Sequence, residues 1–152
     1  MAQRIAMRVA GLAAVALALG TAMPAQAKLR VYRTDQIWRC KVRQKAKFIP
    51  AFLVVVYRPS KHHAFVEDGY IYKHFKQPIP AQVTEDDSDR LRMTWTLHGV
   101  EGHTTQGARV AADFRFKADF VKAADRLIVN STVVDYRNMP GQGVYDCTER
   151  KR

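Results

Sequence analysis

The feature of this sequence that most constrains its fold is the segment 110–121, in which apolar and charged residues alternate strictly from Ala112 to Phe120. A period of two places alternate side chains on opposite faces of a strand. The segment therefore predicts a β-strand with one buried and one solvated face. The apolar set is Ala112, Phe114, Phe116, Ala118 and Phe120, and the charged set is Asp113, Arg115, Lys117 and Asp119.

The same alternation recurs at residues 90–98 and around the first cysteine, at residues 38–43. Residues 52–57, FLVVVY, form a continuous apolar run rich in β-branched side chains, which favours a buried strand over a helix. Further strands are predicted at residues 70–75, 80–84, 127–136 and 143–148. Residues 44–47 and 122–126 are the only segments within residues 28–152 that could hold a helical turn.

Turn-forming residues separate these segments, and several short strands at regular spacing are typical of all-β domains. The predicted turns are a break at 59–61, a hairpin at Asp68-Gly69, an acidic loop at 85–89, a long loop at 99–107, and turns at 123–126 and 138–143. We expect a small antiparallel β-barrel of about eight strands, with an open sandwich as the alternative.

The amino terminus has the three parts of a secretory signal: Arg4 and Arg8, an uncharged run at 9–20, and Ala25-Gln26-Ala27. We expect cleavage after residue 27, which leaves a single domain at 28–152 in the periplasm or outside the cell. A buried helix or a membrane anchor is the alternative. Removing 1–27 takes away two of the 25 basic residues and none of the 14 acidic ones, so the net charge becomes +9.

Two cysteines, Cys40 and Cys147, lie near the two ends of the exported part. Paired cysteines in an oxidising compartment usually form disulfides. We expect a bond that ties the first and last long strands together. Two free thiols or an intermolecular pair are the alternatives.

No local motif for catalysis, a cofactor or a metal is present. The histidines His62, His63, His74, His98 and His103 lack the ligand spacing of a zinc site, and Asp86, Asp87 and Asp89 do not match a calcium loop. We predict no catalytic residue, no cofactor and no metal. An enzyme of unrecognised type stays open, because a site built from distant residues leaves no local motif.

Basic residues recur at period two on the predicted outer faces. The candidates for anion binding are Arg39, Lys41, Arg43, Lys45, Lys47, Arg90 and Arg92. They indicate an anionic envelope component or an acidic protein as partner. A merely solvated face is the alternative, and an extracytoplasmic location disfavours nucleic acid.

The aromatic-x-Cys triplets Trp38-Arg39-Cys40 and Tyr145-Asp146-Cys147 resemble those of the periplasmic lysozyme-inhibitor barrels. The resemblance implies a small exported barrel with one disulfide. The Ser-Gly-x-x-Tyr loop with which that family engages lysozyme is absent here, and the basic charge argues against a basic lysozyme as partner. No functional residue is carried over.

We therefore expect an exported, non-enzymatic binding or envelope-associated protein with an anionic partner. The first alternative is a barrel that holds a small apolar ligand. Its interior would be lined by Trp38, Trp95, Phe114, Phe116 and Tyr145. The second alternative is an enzyme.

Overall fold

A computed structural model describes residues 29, 31, 34–103, 106–134 and 136–150. The predicted signal segment, 1–27, lies outside the described residues. Eight antiparallel strands form a closed barrel in which each strand pairs with the next along the chain and the last pairs with the first. The strands are β1 (Gln36–Lys45), β2 (Phe52–Arg58), β3 (His63–Glu67), β4 (Ile79–Asp86), β5 (Arg90–His103), β6 (Arg109–Val121), β7 (Arg126–Val133) and β8 (Tyr136–Glu149). The predicted barrel is confirmed, and the sandwich is excluded.

The connections alternate between the two ends of the barrel, because each strand runs antiparallel to its neighbours. The end that we call the mouth carries the β1–β2 loop (46–51), the helix α1 (Gly69–Phe75) between β3 and β4, and the β5–β6 and β7–β8 connections. The far end carries the short helical turns Pro59–Lys61 and Lys122–Ala124 and the β4–β5 turn.

The predicted disulfide is present and closes the seam of the barrel. Cys40 of β1 lies directly opposite Cys147 of β8 in the strand register, and their Cα atoms are 4.0 Å apart. Both side chains are buried. The bond therefore crosslinks the first and last strands at a point where they already pair.

The barrel interior is a packed core. Tyr145 is fully buried, the rings of Trp38 and Phe120 have centroids 4.5 Å apart, and Trp95 stacks on Phe116 at 5.1 Å. An eight-stranded barrel is just wide enough for side chains to fill. Trp38, Trp95 and Tyr145 therefore belong to the packed core.

The helix α1 replaces the strand that the sequence predicted at 70–75, and the predicted hairpin turn at Asp68-Gly69 is its start. The carboxylate of Asp68 accepts a hydrogen bond of 2.8 Å from the backbone N–H of Ile71, as an N-cap does. Ile71 is fully buried in the core. The cap and this burial outweigh the local β propensity of the tyrosines.

Two further predictions differ from the structure, and one strand lacks a prediction. The predicted loop at 99–107 is largely strand, because β5 continues to His103, and the predicted turn at 138–143 lies within β8. Strand β3 was not predicted, because its five residues are too few to show a period.

No helix among the described residues is long and apolar enough to span a bilayer.

Candidate ligand pocket at the barrel mouth

A pocket of about 800 Å³ opens at the mouth, between the β1–β2 loop, the start of α1 and the β5–β6 hairpin. Its volume lies within the range of small-molecule sites. Apolar residues predominate, and the polar side chains of the lining are those of Lys45, Lys47, Asp68 and Tyr70. The apolar residues are Ala46, Phe48, Ile49, Pro50, Ala51, Phe52, Gly69, Leu97, Val100, Phe114 and Phe116.

The β1–β2 loop forms one wall because it folds back over the barrel opening. The hydroxyl of Tyr145 donates a 2.7 Å hydrogen bond to the carbonyl of Pro50, and the N–H of Ala46 donates to the carbonyl of Gln142 at 3.2 Å. Ile49 is only 3% exposed. The loop is therefore anchored to the interior of the barrel through β8.

Two glycines of β8 make room for this loop. A β-carbon on Gly141 would collide with the carbonyl oxygen of Lys47, and one on Gly143 would collide with the side chain of Ile49. A side chain at either position would push the loop away from the barrel. The glycines at 141 and 143 therefore seat the loop and do not end the strand.

A one-residue register shift in β1 places Lys45 at the pocket. Val42 lies opposite Tyr145 and Gln44 lies opposite Val144, so Arg43 is the extra residue. Beyond it, Lys45 lies opposite Gly143, which is on the interior face. Strict alternation would have kept Lys45 on the outer face with Lys41. The bulge instead turns it toward the mouth.

A second register shift, in β5, brings Val100 into the lining. Leu97 lies opposite Phe114 and Val100 lies opposite Ala112, with one extra residue between them. Gly99 has a φ of +62°, a conformation that favours glycine. The carboxylate of Asp113 accepts from the Gly99 N–H at 2.8 Å and lies 2.8 Å from the His98 ring.

Aromatic rings run from the pocket into the core. The ring centroids of Phe48 and Phe114 are 5.4 Å apart, and those of Phe114 and Phe116 are 6.3 Å apart. Phe116 in turn stacks on Trp95, with centroids 5.1 Å apart. Phe48 has a φ of +62° and is 42% exposed. A non-glycine residue in this conformation is uncommon. The loop therefore holds Phe48 partly exposed, at the outer end of this row of rings.

Asp68 places a buried carboxyl beside the pocket. Burial raises its pKa, although the backbone N–H groups of Ile71 and Tyr70 act in the opposite direction. Burial and the charge of Asp68 also raise the pKa of the Tyr145 hydroxyl. The carboxyl therefore carries a charge that its surroundings solvate poorly.

The far end carries a cluster of satisfied ionic groups. The carboxylate of Asp86 accepts from the Tyr57 hydroxyl and from Lys122 Nζ, the latter at 2.7 Å. Burial raises the pKa of Asp86, but these two hydrogen bonds and the nearby positive charge of Lys122 together outweigh burial, so the net shift is downward. Asp87 accepts from the backbone N–H groups of Asp89 and Arg90. The predicted acidic loop is thus an internally bonded turn.

The seven predicted anion-binding residues lie in three places. Arg39 and Lys41 are exposed on the outer face of β1, with Arg43 at the bulge. Lys45 and Lys47 lie at the mouth. The last two, Arg90 and Arg92, are on β5, four strands away across the barrel.

The β5 residues differ from the others in having acidic partners. Arg90 and Arg92 both contact Asp119, at 2.7 and 3.4 Å, and Arg92 also pairs with Glu85. On β1, Lys41 lies opposite Asp146 in the register, without an ion pair between them. The structure therefore does not bring the seven residues together as one surface.

Among the described residues, no group of three or more His, Cys, Asp or Glu side chains is placed to hold a metal ion. Comparison of the chain with protein-family models, with characterised proteins and with solved structures finds no match. The mouth pocket is therefore interpreted from its geometry and chemistry.

Proposed function

We propose that this protein is an exported, non-enzymatic binding protein that holds a small amphipathic anion in the mouth pocket. The apolar part of the ligand would lie against the rings of Phe48 and Phe114, and its anionic group would lie near Lys45 and Lys47. The observation that carries the proposal is the coincidence of an apolar pocket of about 800 Å³ with two lysines in its lining.

The proposal that the ligand has an apolar part rests on where the packed core leaves space. Since Trp38 and Tyr145 fill the barrel, space for a ligand lies at the mouth, where Leu97, Val100 and Phe114 form the walls. Removing apolar surface from water contributes about 25 cal/mol per Å². A short acyl chain or a ring system would therefore bind mainly through this wall.

The anionic half rests on charge. Lys45 and Lys47 supply two exposed ammonium groups, and Asp68 supplies the opposing charge. Among the described residues, no ion pair joins the Asp68 carboxylate to Lys45 or Lys47, and this carboxylate accepts a hydrogen bond from the Ile71 N–H. Two ammonium groups are then available to a ligand anion.

The absence of a nucleophile–base pair in the lining supports binding over catalysis. The lining side chains with acid–base chemistry are those of Lys45, Lys47, Asp68 and Tyr70. The Asp68 carboxyl is engaged as a helix cap, and a general base needs to reach the proton that it abstracts. Turnover of a bound ligand would contradict this part of the proposal.

Export is part of the proposal and is supported by the signal-like segment 1–27 and by the disulfide. We expect the protein, expressed with its full sequence in a Gram-negative host, to be recovered from the periplasm with Lys28 as its first residue. Intact-mass measurement decides this. A recovered mass that retains residues 1–27 would contradict cleavage.

The binding test compares dodecanoate with dodecanol, which share an alkyl chain and differ in charge. Trp95 reports occupancy through its fluorescence, because it stacks on Phe116 of the lining. We expect dodecanoate to bind more tightly. Lys45→Gln with Lys47→Gln should weaken dodecanoate about tenfold and leave dodecanol unchanged.

The matched control is Lys61→Gln with Arg126→Gln, which removes the same charge at the far end. It should leave both affinities unchanged. Equal affinity of the native protein for the acid and the alcohol would overturn the anionic part of the proposal. Failure of both to bind would overturn the pocket as a site for such ligands.

A second candidate function is attachment to an anionic envelope surface through the outer face of β1. The exposure of Arg39, Lys41 and Arg43 along one strand favours it, because their fields add. Asp146, opposite Lys41, opposes it. Changing all three basic residues to glutamine should reduce co-sedimentation with anionic vesicles at low salt. Unchanged co-sedimentation would identify the face as merely solvated.

A further inference from the structure

We infer that the mouth of the barrel docks end-on against an anionic lipid bilayer. The contact surface, which we call the collar, lies on the β1–β2 loop region and on α1, which both contribute to the pocket lining. It consists of Phe48, Phe52, Tyr72, Lys45, Lys47, Lys73 and Lys76. This inference goes beyond the proposed function, which concerns what the pocket holds and not where the protein sits.

Exposed aromatic side chains are concentrated at the mouth. Among the described residues, the exposed large apolar side chains are Val31, Phe48, Phe52, Tyr72 and Val110, and all except Val31 belong to mouth-end segments. Phe52 is 61% exposed and Tyr72 is 58% exposed. Phe48 and Phe52 also line the pocket. Aromatic rings of this kind are favoured at the boundary between lipid headgroups and acyl chains.

Lysines lie between these rings. Residues 44–52 and 68–78 contain the four exposed lysines Lys45, Lys47, Lys73 and Lys76, and their one acidic residue, Asp68, is buried. The Nζ atom of Lys76 lies 5.6 Å from the centre of the Tyr72 ring. Each lysine close to an anionic membrane raises partitioning about fivefold. The collar therefore combines aromatic rings that can enter the membrane interface with lysines that attract anionic headgroups.

The far end has a different charge pattern. Its turns and strand ends expose the carboxylates of Asp87, Asp89, Asp125 and Glu149 together with the basic side chains of Lys61, Arg90, Arg126 and Arg150, so opposite charges balance there. An anionic bilayer would attract the lysines of the mouth more strongly than this end of mixed charge, so it would orient the barrel. In that orientation the pocket opening faces the lipid, and an amphipathic ligand passes between bilayer and pocket without crossing water.

A bilayer fits the collar better than an acidic protein does. The rings and lysines lie on two segments at the mouth, the β1–β2 loop and α1, and exposed rings at one end of the barrel can enter lipid without a matching partner surface. A folded protein partner would need a surface that matches a convex loop and a helix together. The vesicle experiment separates these possibilities.

The test is flotation of the purified protein with vesicles of phosphatidylcholine alone and with vesicles in which phosphatidylglycerol replaces part of it. We expect binding to the anionic vesicles, with loss at high salt. Phe48→Ala with Phe52→Ala should lower the partition coefficient at least tenfold. Lys45→Gln with Lys47→Gln should lower it about thirtyfold. The far-end control, Lys61→Gln with Arg126→Gln, should bind as the native protein does.

Insertion of the collar is measured separately with Phe52→Trp. On anionic vesicles, the fluorescence of this tryptophan should shift to the blue and be quenched by brominated lipid. Binding without a shift, or binding unaffected by Phe48→Ala with Phe52→Ala, would overturn end-on docking. Absence of binding to anionic vesicles would also overturn it and leave a protein partner as the explanation of the collar. The dodecanoate titration contains no vesicles, so its failure is distinguishable from these outcomes.

Discussion

Gly143 of β8 lies directly beneath Ile49 of the β1–β2 loop, and no β-carbon fits between them. The same glycine lies opposite Lys45 in the strand register. Gly143 therefore makes room for the loop, as Gly141 does, and also lies next to Lys45, which points toward the mouth. The pocket depends on this close approach, because the loop that packs on Gly143 forms one wall of the pocket.

Gly143→Ala should displace the loop and weaken ligand binding. The added methyl group would collide with Ile49 and would stand 3.1 Å from the Tyr145 ring. Overpacking of this kind typically costs about 1–3 kcal/mol. We expect a lower free energy of unfolding in urea and a weaker fluorescence response to dodecanoate.

The matched control is Gly102→Ala, since a β-carbon at Gly102 meets nothing within 4 Å. Its unfolding free energy should stay within about 0.5 kcal/mol of the native value. If Gly143→Ala behaves like Gly102→Ala, the loop is not held as the structure indicates.

Replacing Cys40 and Cys147 together by alanine should lower stability without opening the barrel. The bond spans a sequence separation of 107 residues, and the chain-entropy model credits such a loop with about 4–5 kcal/mol, of which real cases often deliver less. The β1–β8 ladder remains, because its backbone pairing does not need the sulfur atoms. Urea unfolding measures the loss, and an unchanged circular dichroism spectrum checks the fold. A variant as stable as the native protein would contradict the expectation.

Asp35→Ala should be among the most destabilising single changes. Asp35 and Arg58 form a two-pronged pair, with distances of 3.0 and 3.1 Å, and the Asp35 side chain is fully buried. Removing one partner of a buried pair typically costs about 3–5 kcal/mol, because the other charge stays buried. Arg90→Gln is the control, since Arg90 is 44% exposed and its pair with Asp119 should contribute at most about 1 kcal/mol. Equal effects of the two changes in thermal or urea unfolding would contradict this difference.

The fold was predictable because apolar and polar residues alternate with a period of two along most of the strands. Phe116, Ala118 and Phe120 face inward as the alternation indicates, and Cys40 meets Cys147 across the closing seam. The compartment suggested by the amino terminus indicated that the cysteines pair, and the strand pattern indicated which strands they would join.

The pocket was not predictable because it arises where the period fails. The shifts at Arg43 and Gly99 move Lys45 and Val100 to the interior face, and alternation counted along the sequence cannot detect an inserted residue. The sequence does contain one sign of the pocket. Gly141 and Gly143 are two residues apart, so in a strand they lie on the same face and leave that face open to close packing. The sequence instead predicts a turn at 138–143 and a strand only from 143 onward, because glycine in a strand interior is uncommon.

Asp68→Asn should stabilise the protein at neutral pH and strengthen binding of an anion. Burial raises the pKa of Asp68, so the folded state disfavours its ionised form. A raised folded-state pKa makes the native protein lose stability as the pH rises from about 4 through that pKa. Asparagine keeps the cap on α1 without the charge. The difference in unfolding free energy between variant and native protein should therefore be present at pH 7 and vanish below about pH 4.

In the same variant, dodecanoate should bind severalfold more tightly at neutral pH, because a like charge leaves the lining of the pocket. Dodecanol should be unaffected. A stability difference that is independent of pH would indicate that Asp68 acts through its hydrogen bond alone.

Asp113→Ala should disturb the pocket, because Asp113 binds the Gly99 N–H at the β5 register shift. The contribution of Asp113 to stability should depend on pH in the opposite direction to that of Asp68. The Gly99 N–H and then the His98 ring lower the pKa of Asp113, so its ionised form is favoured in the folded protein. A lowered folded-state pKa contributes stability above about pH 4 that is lost as the pH falls through that pKa. The variant should lose the Gly99 contact that fixes the turn before Val100, and dodecanoate should bind a few-fold to about tenfold more weakly. Asp113→Asn keeps an acceptor for the Gly99 N–H, so its affinity should stay close to the native value. Equal affinities of the alanine and asparagine variants for dodecanoate would show that the carboxylate does not position Val100.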